Sequence, residues 1–394
     1  MKRLGIMGAA GLAMIAAGCE SLFDTTVELP TSYAVVSAGG EHTCALDRDG
    51  HAFCWGRGEN GELGDGRVAS SAMPVPVSGE RRYSAIAVGR HHSCAVSTDG
   101  VAYCWGWNRY GQLGVGSTVG FGDPAEVVGD LRFSAISAGA FHTCALTPEG
   151  VAYCWGENSN GQLGTGSAES SAIPAEVAGG HRFARISAGE HHTCALTADG
   201  KAYCWGLNHL GQLGDGSIES AWEPRAVAGN ISFTAISAGV AHTCAVSGNG
   251  AGYCWGSNAY GELGNTSIEM PRQPGATAPS KVYGDSRFVA LAAGPYVTCG
   301  IDDQNRGLCW GRGVYGQLGN GQTVNAATPQ FVADTPADLM PTRLRFRSID
   351  VGDGHVCGVA RTWNVYCWGA GDFGQLGDPA YPLSMTPVRV RDGD

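Results

Sequence analysis

The sequence is short of positive charge. Its 394 residues include 25 lysines and arginines against 36 aspartates and glutamates, which gives a formal net charge of −11. Nucleic-acid binding needs a basic footprint, because contacts to the phosphate backbone supply much of the affinity. The charge balance therefore argues against a nucleic-acid partner.

Catalytic motifs are also missing. The chain has no nucleophile–base signature, no metal-protease motif and no phosphate-binding loop. Its glycine-rich GQLG segments lack the Lys-Ser/Thr ending of a phosphate loop, and they recur along the chain instead of marking one site. The sequence therefore predicts a non-catalytic protein with no cofactor and no metal.

Long hydrophobic runs are scarce, and the clearest one lies at the N-terminus. Lys2 and Arg3 precede an apolar run, Leu4–Ala17, whose length suits a signal peptide and is short for a membrane span. The run ends in AAGC, which resembles a bacterial lipoprotein signal, although Ala16 stands where that pattern usually has leucine. An ordinary secretory signal cut nearby is the alternative.

This resemblance divides the chain into three parts. We predict a signal peptide over residues 1–18, a tether over 19–32 that is lipidated at Cys19, and one folded domain over 33–394. The resemblance implies an exported protein anchored in the bacterial cell envelope through the lipid on Cys19. Glu20 favours the outer membrane, and the sequence leaves open which side of it.

Cysteine is plentiful and regularly spaced. Of the 15 cysteines, Cys19 stands apart, and the other fourteen form seven pairs whose partners are ten positions apart. Successive pairs recur at a period near 50 residues, which is the signature of a repeat architecture. The pairs are Cys44 and Cys54, Cys94 and Cys104, Cys144 and Cys154, Cys194 and Cys204, Cys244 and Cys254, Cys299 and Cys309, and Cys357 and Cys367.

Each repeat contains a predicted β-hairpin. In the fourth repeat, two short runs of β-forming residues flank a turn that ends in Gly200, and this turn places Cys194 directly opposite Cys204. A strand before the hairpin, Phe183–Gly189, and a short strand after it complete a unit of four strands. The equivalent of that short strand in the preceding repeat lies near Pro174–Val177. Seven such units predict an all-β fold, a seven-bladed β-propeller. For the last blade we favour closure by Pro387–Val390 over a strand near Val27.

The repeated pattern AGxxHTCAL…DGxAYCWGxNxxGQLGxG resembles the repeat of the RCC1 (regulator of chromosome condensation) superfamily, which includes the BLIP-II type of bacterial β-lactamase inhibitor. The resemblance extends from Tyr33 to about Val390 and implies the same propeller. Nuclear members of the family act as nucleotide exchange factors and dock on chromatin. Neither role suits an acidic, exported chain, and a propeller fold by itself does not specify function.

The cysteine pairs predict seven disulfides, because opposed strand positions bring two Cβ atoms close enough and export provides an oxidising compartment. Zinc binding is the alternative, since His192, Cys194 and Cys204 share one face of the hairpin. The sixth repeat argues against zinc, because Val297 replaces the histidine while both cysteines remain.

One histidine recurs in six repeats. A catalytic site needs residues that differ in role, so we interpret the six as hydrogen-bonding struts towards a neighbouring blade or turn. The seven Trp-Gly pairs and the recurrent tyrosines are interpreted as interblade packing. The six histidines are His42, His92, His142, His192, His242 and His355.

Two positions before each of these histidines vary freely, and equivalent positions of a propeller lie on one rim. We predict that this rim binds a partner, although the variation is equally consistent with a lack of constraint. Phe141 and Tyr296 have no evident interior role and are the leading hot-spot candidates. The predicted rim residues are Glu41, Arg90, His91, Phe141, Glu190, His191, Tyr296 and Asp353.

These patterns together predict a monomeric, membrane-anchored binding scaffold for a protein or a cell-envelope component. A BLIP-II-like enzyme inhibitor is one alternative. A cell-envelope hydrolase or lyase is another, and it would need a cluster of unlike acidic or histidine residues at the propeller axis. The repeats predict no such cluster.

Overall fold

The structure is a computed structural model, and it describes residues 32–268, 273–334 and 344–391. The signal peptide, Cys19 and all but the last residue of the tether lie outside these residues. The described chain folds into seven four-stranded antiparallel sheets, each in the strand order one-two-three-four. This confirms the seven-bladed β-propeller.

The first four blades come from residues 33–226. Blade one contains β1 (Tyr33–Ala38), β2 (His42–Asp47), β3 (Ala52–Gly56) and β4 (Ser71–Pro76). Blade two contains β5 (Tyr83–Val88), β6 (His92–Ser97), β7 (Ala102–Gly106) and β8 (Phe121–Glu126). Blade three contains β9 (Ala135–Ala138), β10 (His142–Leu146), β11 (Ala152–Gly156) and β12 (Ser171–Glu176). Blade four contains β13 (Phe183–Ala188), β14 (His192–Thr197), β15 (Ala202–Gly206) and β16 (Ala221–Ala226).

The last three blades come from residues 233–389. Blade five contains β17 (Phe233–Ala238), β18 (His242–Ser247), β19 (Gly252–Gly256) and β20 (Ala276–Lys281). Blade six contains β21 (Phe288–Ala293), β22 (Val297–Asp302), β23 (Gly307–Gly311) and β24 (Ala326–Phe331). Blade seven contains β25 (Phe346–Val351), β26 (His355–Ala360), β27 (Val365–Ala370) and β28 (Leu383–Arg389). No helix among the described residues is long and apolar enough to cross a membrane.

Every blade is one continuous stretch of chain, so blades one and seven exchange no strand. The C-terminal strand β28 pairs with β27 and completes blade seven, as predicted. The ring closes by contacts between β1 and blade seven. Asp353 N–H donates to the Gly39 carbonyl at 3.1 Å, and the Asp350 carboxylate accepts from Ala38 N–H at 2.9 Å and from the Ser37 hydroxyl at 3.0 Å.

The hairpin register agrees with the sequence pattern. In blade four Cys194 lies opposite Cys204, and Ala195 lies opposite Tyr203. Two backbone bonds hold the turn: Thr197 N–H donates to the Lys201 carbonyl, and Gly200 N–H donates to the Thr197 carbonyl. Gly200 has a φ of 82°, a conformation that strains a residue with a Cβ, which favours glycine at this turn position. Asn305 and Trp363 hold the same conformation at the equivalent positions of blades six and seven, with φ of 63° and 73°.

The hydrophobic core lies between blades. The disulfide of blade one packs with Tyr83, Ile86 and Trp105 of blade two, and the same arrangement recurs around the ring. All seven tryptophans of the Trp-Gly pairs are fully buried. The Trp105 indole N–H donates to the Glu62 carbonyl of the preceding blade at 2.8 Å, which satisfies its one polar atom. These contacts confirm the prediction of interblade packing.

The recurrent histidines also join neighbouring blades. His192 Nε2 lies 2.9 Å from the Thr243 hydroxyl of the next blade. That hydroxyl donates to the Gln212 carbonyl, so it accepts from His192 and the histidine is the neutral Nε2–H tautomer. Burial lowers the pKa of His192 to about 3, which keeps the ring uncharged. The strut interpretation is confirmed in all six copies, with a serine in place of the threonine beside His42.

The exception in blade six has a matching exception in blade seven. Val297 replaces the histidine, and the residue at the partner position of blade seven is Val356 rather than threonine. Both valines are buried in one apolar cluster with Trp368. The polar pair has been replaced as a unit, so neither a histidine nor a hydroxyl is left buried without its partner.

The propeller has two different faces. One face, called the rim below, carries the turns between the first and second strands of each blade and the loops that follow the third strands. The opposite face, called the base, carries the hairpin turns between the second and third strands and the connections between blades. Because β1 starts at the base and β28 ends there, both ends of the described chain lie on the base.

Candidate partner-binding rim

The seven variable pairs lie in the turns between the first and second strands, around the axial opening. The first member of each pair lines the opening, and the second lies one residue further out. Backbone bonds between blades hold these turns in place, such as Arg90 N–H to the Gly139 carbonyl at 3.3 Å and Glu190 N–H to the Gly239 carbonyl at 3.1 Å. The first members are Gly40, Arg90, Ala140, Glu190, Val240, Pro295 and Asp353.

Three of these residues form an ion cluster across the axis. Arg90 Nη1 lies 2.8 Å from Glu190 Oε1, and Arg90 Nε lies 3.3 Å from Asp353 Oδ2. The repeats did not indicate a cluster of unlike acidic or histidine residues at the axis, and the structure brings two unlike acidic residues, Glu190 and Asp353, together there. Equivalent turns converge on one axis, so three different residues from blades two, four and seven meet although they are far apart in the sequence.

The environment of Asp353 favours its protonated form. Burial raises the pKa of Asp353 to about 6, and the negative charges of Glu190 and Glu41 act in the same direction. The Arg90 guanidinium opposes this rise in pKa. The axial cluster thus contains one carboxyl group that titrates near neutral pH.

An aromatic cluster lies beside the ion cluster. The Phe141 ring is 5.7 Å from Trp107, 5.5 Å from Tyr110 and 6.1 Å from His191, measured between ring centroids. His91 completes the group at 6.5 Å from Phe141. Phe141 and Trp107 are half-buried and Tyr110 is 40% exposed, so the cluster presents aromatic surface to solvent from a fixed position.

The second hot-spot candidate, Tyr296, lies in a separate group. Its ring centroid is 5.0 Å from Tyr260, and the Arg312 guanidinium lies 5.5 Å from the Tyr260 ring and 5.1 Å from the Tyr315 ring. The structure therefore does not bring Phe141 and Tyr296 together. It gives the rim two aromatic groups, one formed by blades two to four and one by blades five and six.

The remaining predicted residues form local ion pairs. Arg57 bonds to Glu41 and to Glu59. His191 Nδ1 lies 3.4 Å from Glu157 Oε2, and this histidine lowers the pKa of the Glu157 carboxyl. Burial and the nearby Arg90 and Arg57 lower the pKa of His91.

One part of the rim was not predicted from the sequence. Trp107, Tyr110, Tyr260 and Arg312 belong to the loops after the third strands, and none of them was predicted. Backbone bonds bring these loops to the variable turns, for example Trp107 N–H to the His91 carbonyl at 2.9 Å. A signal was present, because the residue after each Trp-Gly pair and the residue before each GQLG or GELG segment also vary between repeats.

The fourteen repeat cysteines form seven disulfides in the structure, each within one hairpin. Sulfur atoms bonded to each other are not thiolate ligands, which removes the donor set of the zinc alternative. In the described ranges no group of three histidine, cysteine or acidic residues is arranged to hold a metal ion. The lipidation prediction at Cys19 lies outside the described residues.

Family models match most of this chain. The model of the RCC1-like domain matches residues 16–282, and the model of the regulator of chromosome condensation (RCC1) repeat matches residues 308–359. The chain belongs to the RCC1-like family. The family agrees with the repeat pattern and with the propeller.

Solved structures of RCC1-like propellers resemble this one in fold. Human WBSCR16 is 22% identical with a TM-score of 0.78, over 86% of this chain and 94% of that one. Prp20p of Saccharomyces cerevisiae, whose binding to Gsp1p and histones has been characterised, is 20% identical with a TM-score of 0.76, over 93% of this chain and 87% of that one. At these identities the likeness concerns the fold alone.

Relatives found by sequence are longer proteins that share only part of this RCC1-like chain. The human E3 ubiquitin-protein ligase HERC2 is 31% identical over 106 residues, which is 26% of this chain and 2% of HERC2. The mitochondrial RCC1 domain-containing protein RUG3 of Arabidopsis thaliana is 31% identical over 122 residues, which is 30% of this chain and 25% of RUG3. The RCC1-like fold of this chain is compatible with a non-catalytic binding scaffold, and neighbours such as Prp20p bind proteins.

Proposed function

We propose that this protein is a non-catalytic binding scaffold of the bacterial cell envelope, attached to a membrane through a lipid on Cys19, and that its rim binds a protein partner. The observation that carries the proposal is the aromatic cluster of Trp107, Tyr110 and Phe141 on the rim. Large rings held on a rigid frame bury area at little entropic cost, which is the usual composition of a binding hot spot.

The frame below the rim supports this proposal. Each variable turn lies between two strands that are bonded to their neighbours, and the second strand of every blade is joined to the third by a disulfide. A surface that does not have to become ordered on binding loses less entropy in the complex. The rim also varies between blades while the interior repeats, so it offers one asymmetric surface on a nearly symmetric ring.

The partner-binding proposal is tested by affinity capture from the native cell envelope. The bait is compared with a Trp107→Ala/Phe141→Ala/Tyr296→Ala variant and with a control variant, Phe121→Ala/Trp222→Ala, whose rings are 39% and 40% exposed and lie on the outer strands. We expect a protein captured by the unmodified chain to be retained by the control and lost by the rim variant. Equal retention by both variants would place binding elsewhere.

The membrane attachment is tested independently. We expect the unmodified protein to partition into the detergent phase and the Cys19→Ala variant to partition into the aqueous phase. An unmodified protein found wholly in the aqueous phase would exclude the lipid anchor without bearing on the rim.

The axial ion cluster favours a second candidate function, an envelope hydrolase or lyase. Asp353 is the group suited to proton transfer there, because its pKa is raised to about 6. Arg90 already pairs with both carboxylates of the cluster, which favours a structural role for the three residues. Turnover of an envelope substrate that is abolished by Asp353→Asn would support the enzyme and overturn the scaffold.

A further inference from the structure

Two arginine side chains lie over one tryptophan on the base, at the seam between blades seven and one, and two further arginines adjoin them through the backbone. The Arg347 guanidinium lies 3.7 Å from the centroid of the Trp363 ring, and the Arg48 guanidinium lies 5.1 Å from it. Arg347 Nη2 donates to the Arg361 carbonyl at 3.2 Å, and Arg361 N–H donates to the Arg345 carbonyl at 2.8 Å. Arg48, Arg345, Arg347, Arg361 and Trp363 are called the arginine patch below.

The arginine patch has no ion-pair partner within residues 32–268, 273–334 and 344–391. None of its four guanidinium groups forms an ion pair with a carboxylate of the residues that the structure describes. The neighbouring Asp47 carboxylate is occupied by His51 and by two backbone N–H groups. Three of the four arginines are exposed, and Arg345 is half-buried.

The patch groups positive charge in a chain whose net charge is −11. Some arginines elsewhere pair with carboxylates, as Arg57, Arg90 and Arg306 do. Like charges repel each other, so a bound anion would lower the energy of such a group.

The patch also lies where the N-terminal segment joins the propeller. Tyr33 N–H donates to the Trp363 carbonyl at 2.8 Å, so the 31 residues that precede the described chain lead directly to the patch. Those residues contain the apolar run Leu4–Ala17 and Cys19. A membrane attachment through this segment would bring the patch to the membrane surface and point the rim away from it.

We propose that the arginine patch docks on a membrane surface that contains anionic phospholipid. Guanidinium groups bind phosphate through two parallel hydrogen bonds, and tryptophan is favoured at the level of the lipid headgroups. Near an anionic surface each arginine adds about 1 kcal/mol, or about fivefold in affinity. The orientation of the propeller rests on the proposed lipid attachment, whereas the affinity of the patch for anionic lipid does not.

The test uses the chain from Glu20 onwards, which keeps every described strand and has neither the apolar run nor Cys19. Its binding to vesicles of phosphatidylglycerol mixed with phosphatidylcholine is measured by flotation and compared with vesicles of phosphatidylcholine alone. The patch variant changes Arg48, Arg345, Arg347 and Arg361 to glutamine. The control variant changes four other exposed arginines of the base or the adjoining strand to glutamine, namely Arg132, Arg182, Arg185 and Arg287.

We expect binding to the anionic vesicles alone, at low salt, with at least about a tenfold loss of affinity in the patch variant and less than about a threefold loss in the control. Equal losses in the two variants would reduce the effect to net charge and overturn the proposal. No binding by the unmodified chain would overturn it as well, as would tighter binding to a soluble polyanion such as single-stranded DNA than to the vesicles. Because the test chain lacks Cys19, failure of the lipid anchor and failure of the patch give different results.

Discussion

The seams between blades and the rim are each formed by equivalent positions of all seven repeats, but the residues at these positions are conserved between repeats only at the seams. At the seams the same residues recur, and where His192 contacts Thr243 the corresponding pairs around the ring are nearly identical. On the rim the equivalent residues differ, so that Arg90, Glu190 and Asp353 form one ion cluster. The residues that recur hold the blades together, and the residues that differ between repeats make the rim different from blade to blade.

This difference predicts that stability and the proposed partner binding can be changed separately. A seam residue is buried and must match its neighbour in the next blade, as Val297 and Val356 do. A rim residue is held by backbone bonds, such as Ala140 N–H to the Gly189 carbonyl, and its side chain is not needed to close the ring. Changes at the seams should therefore lower stability more than changes on the rim.

Acid should weaken all the histidine seams together. The pKa of His92, His142, His192, His242 and His355 is lowered to about 3 by burial, and burial also lowers the pKa of His42 well below its ordinary value. The unfolded chain therefore binds more protons than the folded chain between pH 6.5 and about 3, so stability falls as pH decreases through this window. Each histidine can contribute up to about 1.4 kcal/mol per pH unit.

The measurement is the urea unfolding free energy at pH 7.5 and at pH 5, where we expect a loss of several kcal/mol in total. Asp353, Asp350 and Glu262 act with the opposite sign, because burial raises the pKa of each carboxyl group and protonation then favours the folded state. These three carboxyl groups offset only part of the effect of six histidines. An unfolding free energy that is unchanged or higher at pH 5 would contradict the claim that the six buried histidines are uncharged in the folded protein.

Removal of one seam tryptophan should have the next largest effect. Trp205 is fully buried between blades three and four, and Trp205→Ala should lower the unfolding free energy by about 3–5 kcal/mol through lost burial and a cavity. Trp222→Ala is the matched control, since that ring is 40% exposed on an outer strand and should cost less than about 1 kcal/mol. Similar losses of unfolding free energy in both variants would show that the hydrophobic core does not lie at the seams.

A double-mutant cycle can introduce the valine pair of blades six and seven at the seam between His192 and Thr243. His192→Val alone should cost about 1–3 kcal/mol, because the buried Thr243 hydroxyl loses a partner. His192→Val/Thr243→Val reproduces the pair Val297 and Val356 and should recover part of that loss, with a coupling of about 1 kcal/mol. The double variant should also lose less stability at pH 5. Additive costs would indicate that the two positions are independent.

Much of the frame could be predicted from the sequence because its signals are local. The turn glycine, the opposed cysteines and the alternation along each strand specify the hairpin, and a period near 50 residues specifies the ring. The C-terminal closing strand followed from the same pattern, since Pro387 and Val390 keep the spacing seen in the other blades.

The rim could be predicted only in part, because its contacts join residues that are distant in the sequence. The variable turns were evident, but the ion cluster of Arg90, Glu190 and Asp353 depends on three turns that meet at the axis. Trp107 and Tyr110 were missed because they follow the third strand, where the pattern indicates only a glycine-rich loop. Their proximity to Phe141 arises from backbone bonds between two loops of one blade and from packing against the next.

The central claim is that side chains of the rim recognise a partner while the buried side chains of the seams supply most of the stability of the ring. It is tested most directly on Phe141→Ala/Tyr296→Ala, by thermal unfolding and by binding to the protein captured from the cell envelope, measured side by side. We expect a cost of less than about 1 kcal/mol in stability, because both rings are half-buried on the rim, together with a loss of about 2–4 kcal/mol in partner affinity. A stability loss as large as that of Trp205→Ala would show that these rings belong to the core, and unchanged affinity would contradict the claim that the rim is the binding surface.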